Sequence, residues 1–296
     1  MRILVAGWHG QVAAALTERA AGRAGISAFA VGRAALDLCD SPSVGRTLFG
    51  MSPDVIVNTA AYTNVEGAED EHHRAFRLNA IGSGNLSRQA HRLGVPIIHL
   101  STCHVFDGEQ SAPYRETDPV GPVNVYGRSK LESESVVANE NPMHVILRTS
   151  WIYSPYGRNF VRTMVERVGQ TDQVDVVDDE FGSPTYAVHL ADAIFDIAEK
   201  ISTDPAPAHW GIFHAAGAGR ASWYDIAERT FAAAGAARGP TPRVNQIKRA
   251  DYPVRAPRPP NSCLDGSKLA DVFDVRLPDW RGGVDDCVAR ILADQS

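Results

Sequence analysis

Residues 101–130 read STCHVFDGEQSAPYRETDPVGPVNVYGRSK. The apolar run Pro96–Leu100 just before them has the length and flanks of a buried strand, so Ser101 and Thr102 stand at a strand's carboxyl end. At the other end of the stretch Tyr126 and Lys130 open a helical pattern that continues through Leu131, Val136 and Val137. Their four-residue spacing places both side chains on one helix face. A strand, a connection and a helix in this order form the unit of an open α/β sheet, where ligands bind in the crevice outside the strands' carboxyl ends.

A hydroxyl, a phenol and an ammonium brought to such a crevice suit carbonyl reduction. A free tyrosine titrates at roughly 10, and a neighbouring ammonium favours the phenolate and lowers that value. On this reading Tyr126 protonates a developing alkoxide, Thr102 holds its oxygen and Lys130 tunes the phenol. Four lysines and eight tyrosines in 296 residues give about 0.1 such pairs by chance, so a surface pair is the weaker alternative.

Working outward, Ile3–Ala6 reads as a first strand, followed by a glycine turn and a helix to about Ala21. Gly7 permits the turn, and Gly10, Gln11 and Val12 bring backbone N–H groups to a pyrophosphate at the helix N-terminus. Ala13 is small enough for the helix to pack on the strand. Ser27–Val31 is a second strand ending at Gly32-Arg33, where dinucleotide folds read the adenosine ribose. Arg33 can meet a 2′-phosphate, which favours NADPH over NADH; a solvated loop arginine is the alternative. Asp37 and Leu38 then flank an adenine site. Val55–Val57 is a third strand, and Ala60, Ala61 and Tyr62 after it suit close passage of a cofactor or ordinary packing. A long helix from about Glu69 through Leu78, Leu86 and Leu93 carries Asn79, counted with the cofactor contacts. With Pro96–Leu100 and His144–Arg148 as fourth and fifth strands, the alternation describes an α/β, doubly wound parallel sheet of Rossmann type.

Beyond Trp151 the pattern changes. Asn159–Val168 reads as helix, Val174–Val177 as a short strand, and Ser222–Asp225 opens a helix with a capping box. The proline- and arginine-rich segment 239–260 reads as irregular loop, and Leu277–Trp280 introduces a final helix. The expected division is a dinucleotide-binding domain of 1–149 and about 171–215, with a smaller, largely C-terminal substrate-binding lobe of about 150–170 and 216–296.

Composition fits a globular chain at 44% hydrophobic and 22% charged residues. A net charge of −6 argues against a nucleic-acid partner. The run Ile3–Ala6 is too short for a signal segment and no later run could span a bilayer, which points to a cytoplasmic protein. Cys39, Cys103, Cys263 and Cys287 show neither a disulfide framework nor zinc spacing. Asp178-Asp179-Glu180 reads as a solvated loop rather than a metal site.

Several stretches resemble one family, the dTDP-4-dehydrorhamnose reductases of the extended short-chain dehydrogenases/reductases. They are GWHGQVA at Gly7, NTAAYTNVEGAED at Asn58, HVFDG at His104, YGRSK at Tyr126, RTSWIY at Arg148 and FGSPTYA at Phe181. GIFHAAGAGRASWYDIA at Gly211, RPPNSCLD at Arg258 and LPDWRGGV at Leu277 complete the set, which spans essentially the whole chain. The resemblance implies reduction of the 4-keto group of a nucleotide-linked 6-deoxyhexose by NADPH or NADH. It makes Tyr126 the proton donor and Lys130 a ligand of the nicotinamide ribose. It also puts Thr102 on the carbonyl, Trp151 over the sugar, and Asn159, Phe160, Arg258 and Asn261 on the nucleoside diphosphate. The family usually has Asp-Tyr after its Ser-Thr pair, both touching the sugar; Cys103 and His104 stand there and leave sugar identity open. Some bacterial members dimerise through a metal held by acidic residues just beyond the glycine loop. Ala14 and Ala15 fall near that position, so no metal site is expected, and monomer and homodimer both stay open. A reductase of another nucleotide ketosugar, an epimerase or dehydratase, and a non-catalytic regulatory subunit are the rival readings.

Overall fold

The computed structural model describes residues 1–294, with the backbone alone at 236–238. Strand β1 (Arg2–Ala6) lies between β2 (Ser27–Val31) and β3 (Val55–Asn58). Beyond β3 the sheet continues through β4 (Ile97–Thr102), β5 (His144–Thr149) and β6 (Gly211–His214), all neighbours parallel, in the order β6-β5-β4-β3-β1-β2. These strands are apolar on both faces because helices cover both. Ile3 and Val5 pack with Val12 and Leu16 of α1 (Gln11–Ala20) on one face. Leu4 and Ala6 pack on the other with α2 (Ser41–Met51), α3 (Ser83–Arg92) and Val137 of α4 (Val125–Glu140). Helix α5 (Ala187–Thr203) joins α1.

The chain crosses from β1 to β2 on one side and returns past β1 to β3 on the other. The crevice therefore opens between β1 and β3, above the glycine turn. Gly7 has φ +123°, and a Cβ there would fall 2.5 Å from Thr59 Oγ1, which donates to the Ala6 carbonyl at 2.9 Å. Only glycine lets the turn and the end of β3 approach this closely.

Two helical expectations change in detail. The long helix expected from Glu69 to Leu93 is broken into Val65–Ala68, His72–Phe76, a π-helical turn at Arg77–Gly82, and α3. The wide turn faces Asn79 inward, where its amide bonds both backbone groups of Tyr62. Segment 239–260 is not wholly irregular, since Arg243–Ile247 forms a parallel pair with Gln173–Val177. Half-exposed edge strands of this kind lack the continuous apolar signature of the central sheet.

Of the segment 171–215, expected to go with the sheet, Gln173–Val177 instead joins this pair, while Ala187–Thr203 packs on the sheet and Gly211–His214 extends it. The lobe adds helices Phe160–Arg167, Trp223–Arg238 and Trp280–Ala293, which pack on one another. Ser222 and Asp225 form the expected capping box. Among the described residues no helix is long and apolar enough to cross a membrane.

Candidate active site

Thr102 ends β4, and its hydroxyl accepts the His104 amide at 3.2 Å to start the turn Cys103–Val105. Helix α4 begins directly beside it, capped by Asn124, whose Oδ1 accepts the Gly127 amide at 2.7 Å. A Cβ at Gly127 would overlap the His104 carbonyl oxygen, so the first turn of α4 rests on backbone. That contact sets the Tyr126 and Thr102 side chains on the same cavity wall.

The electrostatics differ from the expected ammonium-tuned phenol. Burial pushes Tyr126 up to about 12, with the Thr102 hydrogen bond opposing. Lys130 shares the helix face, but its Nζ turns away to donate to the Leu100 carbonyl at 2.7 Å and stands 3.2 Å from His99 Nε2. Burial lowers Lys130 to about 8, against Glu134. Glu134 in turn pairs with Arg148 at 2.7 Å, both nearly inaccessible, and accepts Ser101 Oγ at 2.5 Å. Tyr126 is thus a protonated acid across the neutral range, held by geometry rather than by a lowered pKa.

The three side chains face a cavity of about 1090 Å³ that runs from the glycine turn to the lobe. At one end, Gly10 caps α1 without a side-chain bond, and Gln11 and Val12 line the wall. Uncapped N–H groups at a helix N-terminus fit a pyrophosphate. Gln11 Oε1 accepts Ser154 Oγ at 2.7 Å and so ties this turn to the lobe. Ala61 lines the cavity, whereas Ala60, Tyr62 and Asn79 stand behind its wall. There Asn79 also donates to Ser129 Oγ at 2.8 Å, so its role is to support α4. Arg33 is 80% exposed and pairs with Asp37 at 3.6 Å, Leu38 is buried in the α2–α3 core, and none of the three lines the cavity.

At the other end Cys103 is buried, and that burial raises its thiol, with the Ser150, Ser262 and Thr102 hydroxyls opposing. His104 meets Tyr126 edge-on at 5.5 Å. Because Asn124 Oδ1 is taken by a backbone N–H, its Nδ2 must donate to His104 Nδ1 at 3.0 Å, which leaves the proton on Nε2. Burial, then the Arg258 charge, lower His104 to about 3. Trp151, at φ +46°, stacks on Trp223 at 3.8 Å, with Phe160 tilted against the pair.

Two expected nucleotide contacts are committed elsewhere. Asn159 lines the cavity, but its amide caps the helix Phe160–Arg167 and donates to Ser154. Asn261 lies outside the wall, with its amide spent on the Gln110 and Ala112 carbonyls and the Cys263 N–H. Arg258 does line the cavity and pairs with Glu66 at 2.7 Å. Glu66 also accepts the Arg255 and Ala256 amides, at 3.0 and 3.3 Å, and so latches the loop 255–258 beside the cavity. Sequence reasoning missed Trp223, Glu180 and Arg249. Glu180, read as part of a solvated loop, is buried; it accepts Trp223 Nε1 at 3.2 Å and pairs with Arg249. The capping box just before Trp223 marked a helix start, but nothing local told which way that tryptophan faces.

The chain is similar to known proteins over nearly its whole length. The family described as "RmlD substrate binding domain" matches residues 1–293. A dTDP-4-dehydrorhamnose reductase of Sinorhizobium fredii is 44% identical over 280 residues, covering 95% of this chain and 94% of the relative. Among solved structures, a dTDP-4-dehydrorhamnose reductase of Clostridium acetobutylicum aligns with a TM-score of 0.91 at 31% identity, over 99% of this chain and 100% of that one. The Bacillus anthracis dTDP-4-dehydrorhamnose reductase in complex with NADP aligns with a TM-score of 0.89 at 29% identity, over 97% and 98%. With the family model matching residues 1–293 and a 44% identical relative covered to 94%, the chain belongs to the dTDP-4-dehydrorhamnose reductase family.

Proposed function

We propose that the protein reduces the 4-keto group of a nucleotide-linked 6-deoxyhexose with NADPH, with dTDP-4-dehydro-L-rhamnose as the substrate. The observation that carries this reading is the convergence of Thr102, Tyr126 and Lys130 on one cavity between the glycine turn and the Trp151–Trp223 pair. The relatives' shared name and the NADP in the Bacillus anthracis structure support it.

A bound dihydronicotinamide supplies the hydride. Thr102 Oγ1 holds the carbonyl oxygen, and Tyr126 Oη, protonated throughout the neutral range, gives its proton to the alkoxide as that forms. Lys130, cationic below about 8, holds the nicotinamide ribose. Arg33 meets the 2′-phosphate, while Arg258 with Arg249 faces the nucleoside diphosphate, for which a guanidinium fork is suited. In this arrangement the sheet carries the dinucleotide and the lobe the sugar nucleotide.

The test is NADPH oxidation, followed by absorbance, with dTDP-4-dehydro-β-L-rhamnose made in situ. Tyr126→Phe should lower turnover by roughly 10²- to 10⁴-fold, as expected for loss of a general acid. No oxidation by the wild type, with NADPH binding retained, would overturn the reading.

A further inference from the structure

Behind Lys130 lies a chain of buried polar side chains that the reduction does not call upon. His99, on β4 and fully buried, touches Asn58 of β3 on one ring edge and Ser133 and Lys130 of α4 on the other. Its tautomer follows from the neighbouring donors. The Ala60 backbone N–H, which can only donate, is taken by Asn58 Oδ1 at 3.2 Å. Asn58 Nδ2 therefore faces Ser83 Oγ and His99 Nδ1, both at 3.0 Å, and Nδ1 is the acceptor. The ring proton is left on Nε2. Ser133 spends its own hydrogen on the Lys130 carbonyl at 2.6 Å, so its oxygen accepts Nε2–H at 3.0 Å.

We infer that His99 is a positioning residue for Lys130: with its Nε2 proton fixed by Asn58 and spent on Ser133, the ring offers Lys130 Nζ no acceptor and leaves the Leu100 carbonyl as that nitrogen's acceptor. A histidine locked this way turns the positive end of its Nε2–H bond towards Nζ, which disfavours an ammonium relative to a neutral amine. It keeps Lys130 poised to give up a proton near neutrality. The lowered pKa of Lys130 agrees in direction, as does that of His99, held far down by burial and then by Lys130 and His144. The other titratable groups around the pair are Glu134, which is neutralised by Arg148 of β5, His144 of β5, and Tyr126 one turn earlier on α4. None supplies an acceptor in place of Nε2. The inference holds for whichever ketosugar the cavity takes.

Lys130, Lys200, Lys248 and Lys268 are the only lysines, so protein labelled at lysine 13Cε gives four titration curves, with Lys130 assigned by its loss in Lys130→Arg. In the wild type the Lys130 curve should have its midpoint near 8. His99→Gln, whose carbonyl can turn to Nζ, should move it upward by about one pH unit or more. An unmoved midpoint in a folded His99→Gln protein overturns the proposal. If that variant fails to fold, 15N imidazole spectra of the wild type decide. A proton on His99 Nε2 supports the assignment, and a proton on Nδ1 overturns it.

Discussion

At the scale of single residues, the site works with a weak acid and a readily deprotonated base, the reverse of a phenol made acidic by its lysine. The Tyr-x-x-x-Lys spacing was legible because helical periodicity places both side chains on one face. Where Lys130 Nζ turns was not, because the decision lies with Leu100 and His99 on a different strand. His104 shows the same limit. The sequence leaves its ring free to donate or accept, and only Asn124 makes it a donor. His104→Phe, which removes that donor, should lower kcat/KM about tenfold, the cost of one lost hydrogen bond, with the Kd of NADPH unchanged in a fluorescence titration. Since the wild-type ring stays neutral above about 3, no acid limb near 6.5 should trace to it. Arg33→Ala should raise the KM for NADPH roughly tenfold and leave that for NADH in place, as loss of a charged phosphate contact predicts.

At the scale of elements, the decisive contact is that of α4 on the turn after β4. Gly127→Ala would force the helix off the His104 carbonyl and carry Tyr126 away from Thr102. Turnover should fall at least 10²-fold, the cost of a misplaced reacting group, while circular dichroism stays that of the wild type. The central strands could be read from sequence because coverage on both faces makes them continuous apolar runs, as at Ile3–Ala6 and Val55–Val57. Arg243–Ile247 could not, because an edge strand with exposed Arg243 and Gln246 carries no such run. The π turn at Arg77–Gly82 was hidden for another reason: its apolar residues keep a helical spacing, and only the bonds of Asn79 reveal the extra residue.

At the scale of the whole molecule, three histidines held far below their ordinary value tie stability to pH. His104 and His214 are held at about 3, and His99 lies well below its ordinary value, each chiefly through burial. All three are neutral in the folded state, whereas in the unfolded chain they take up protons below about 6.5. Stability is therefore complete above 6.5 and lost as pH falls from there towards 3, by about 2 kcal/mol at pH 5 for each of His104 and His214. Urea unfolding at pH 7 and pH 5 should show the drop, and His104→Gln should make it shallower. The latch at Glu66 bears on timing instead. One carboxylate holds two backbone amides and the Arg258 side chain, so the loop cannot peel away bond by bond without stranding the rest. The loop is then expected to release in a single cooperative step when that carboxylate is lost. In Glu66→Gln, stopped-flow release of the sugar-nucleotide product should quicken several-fold while the chemical step within one turnover keeps its rate.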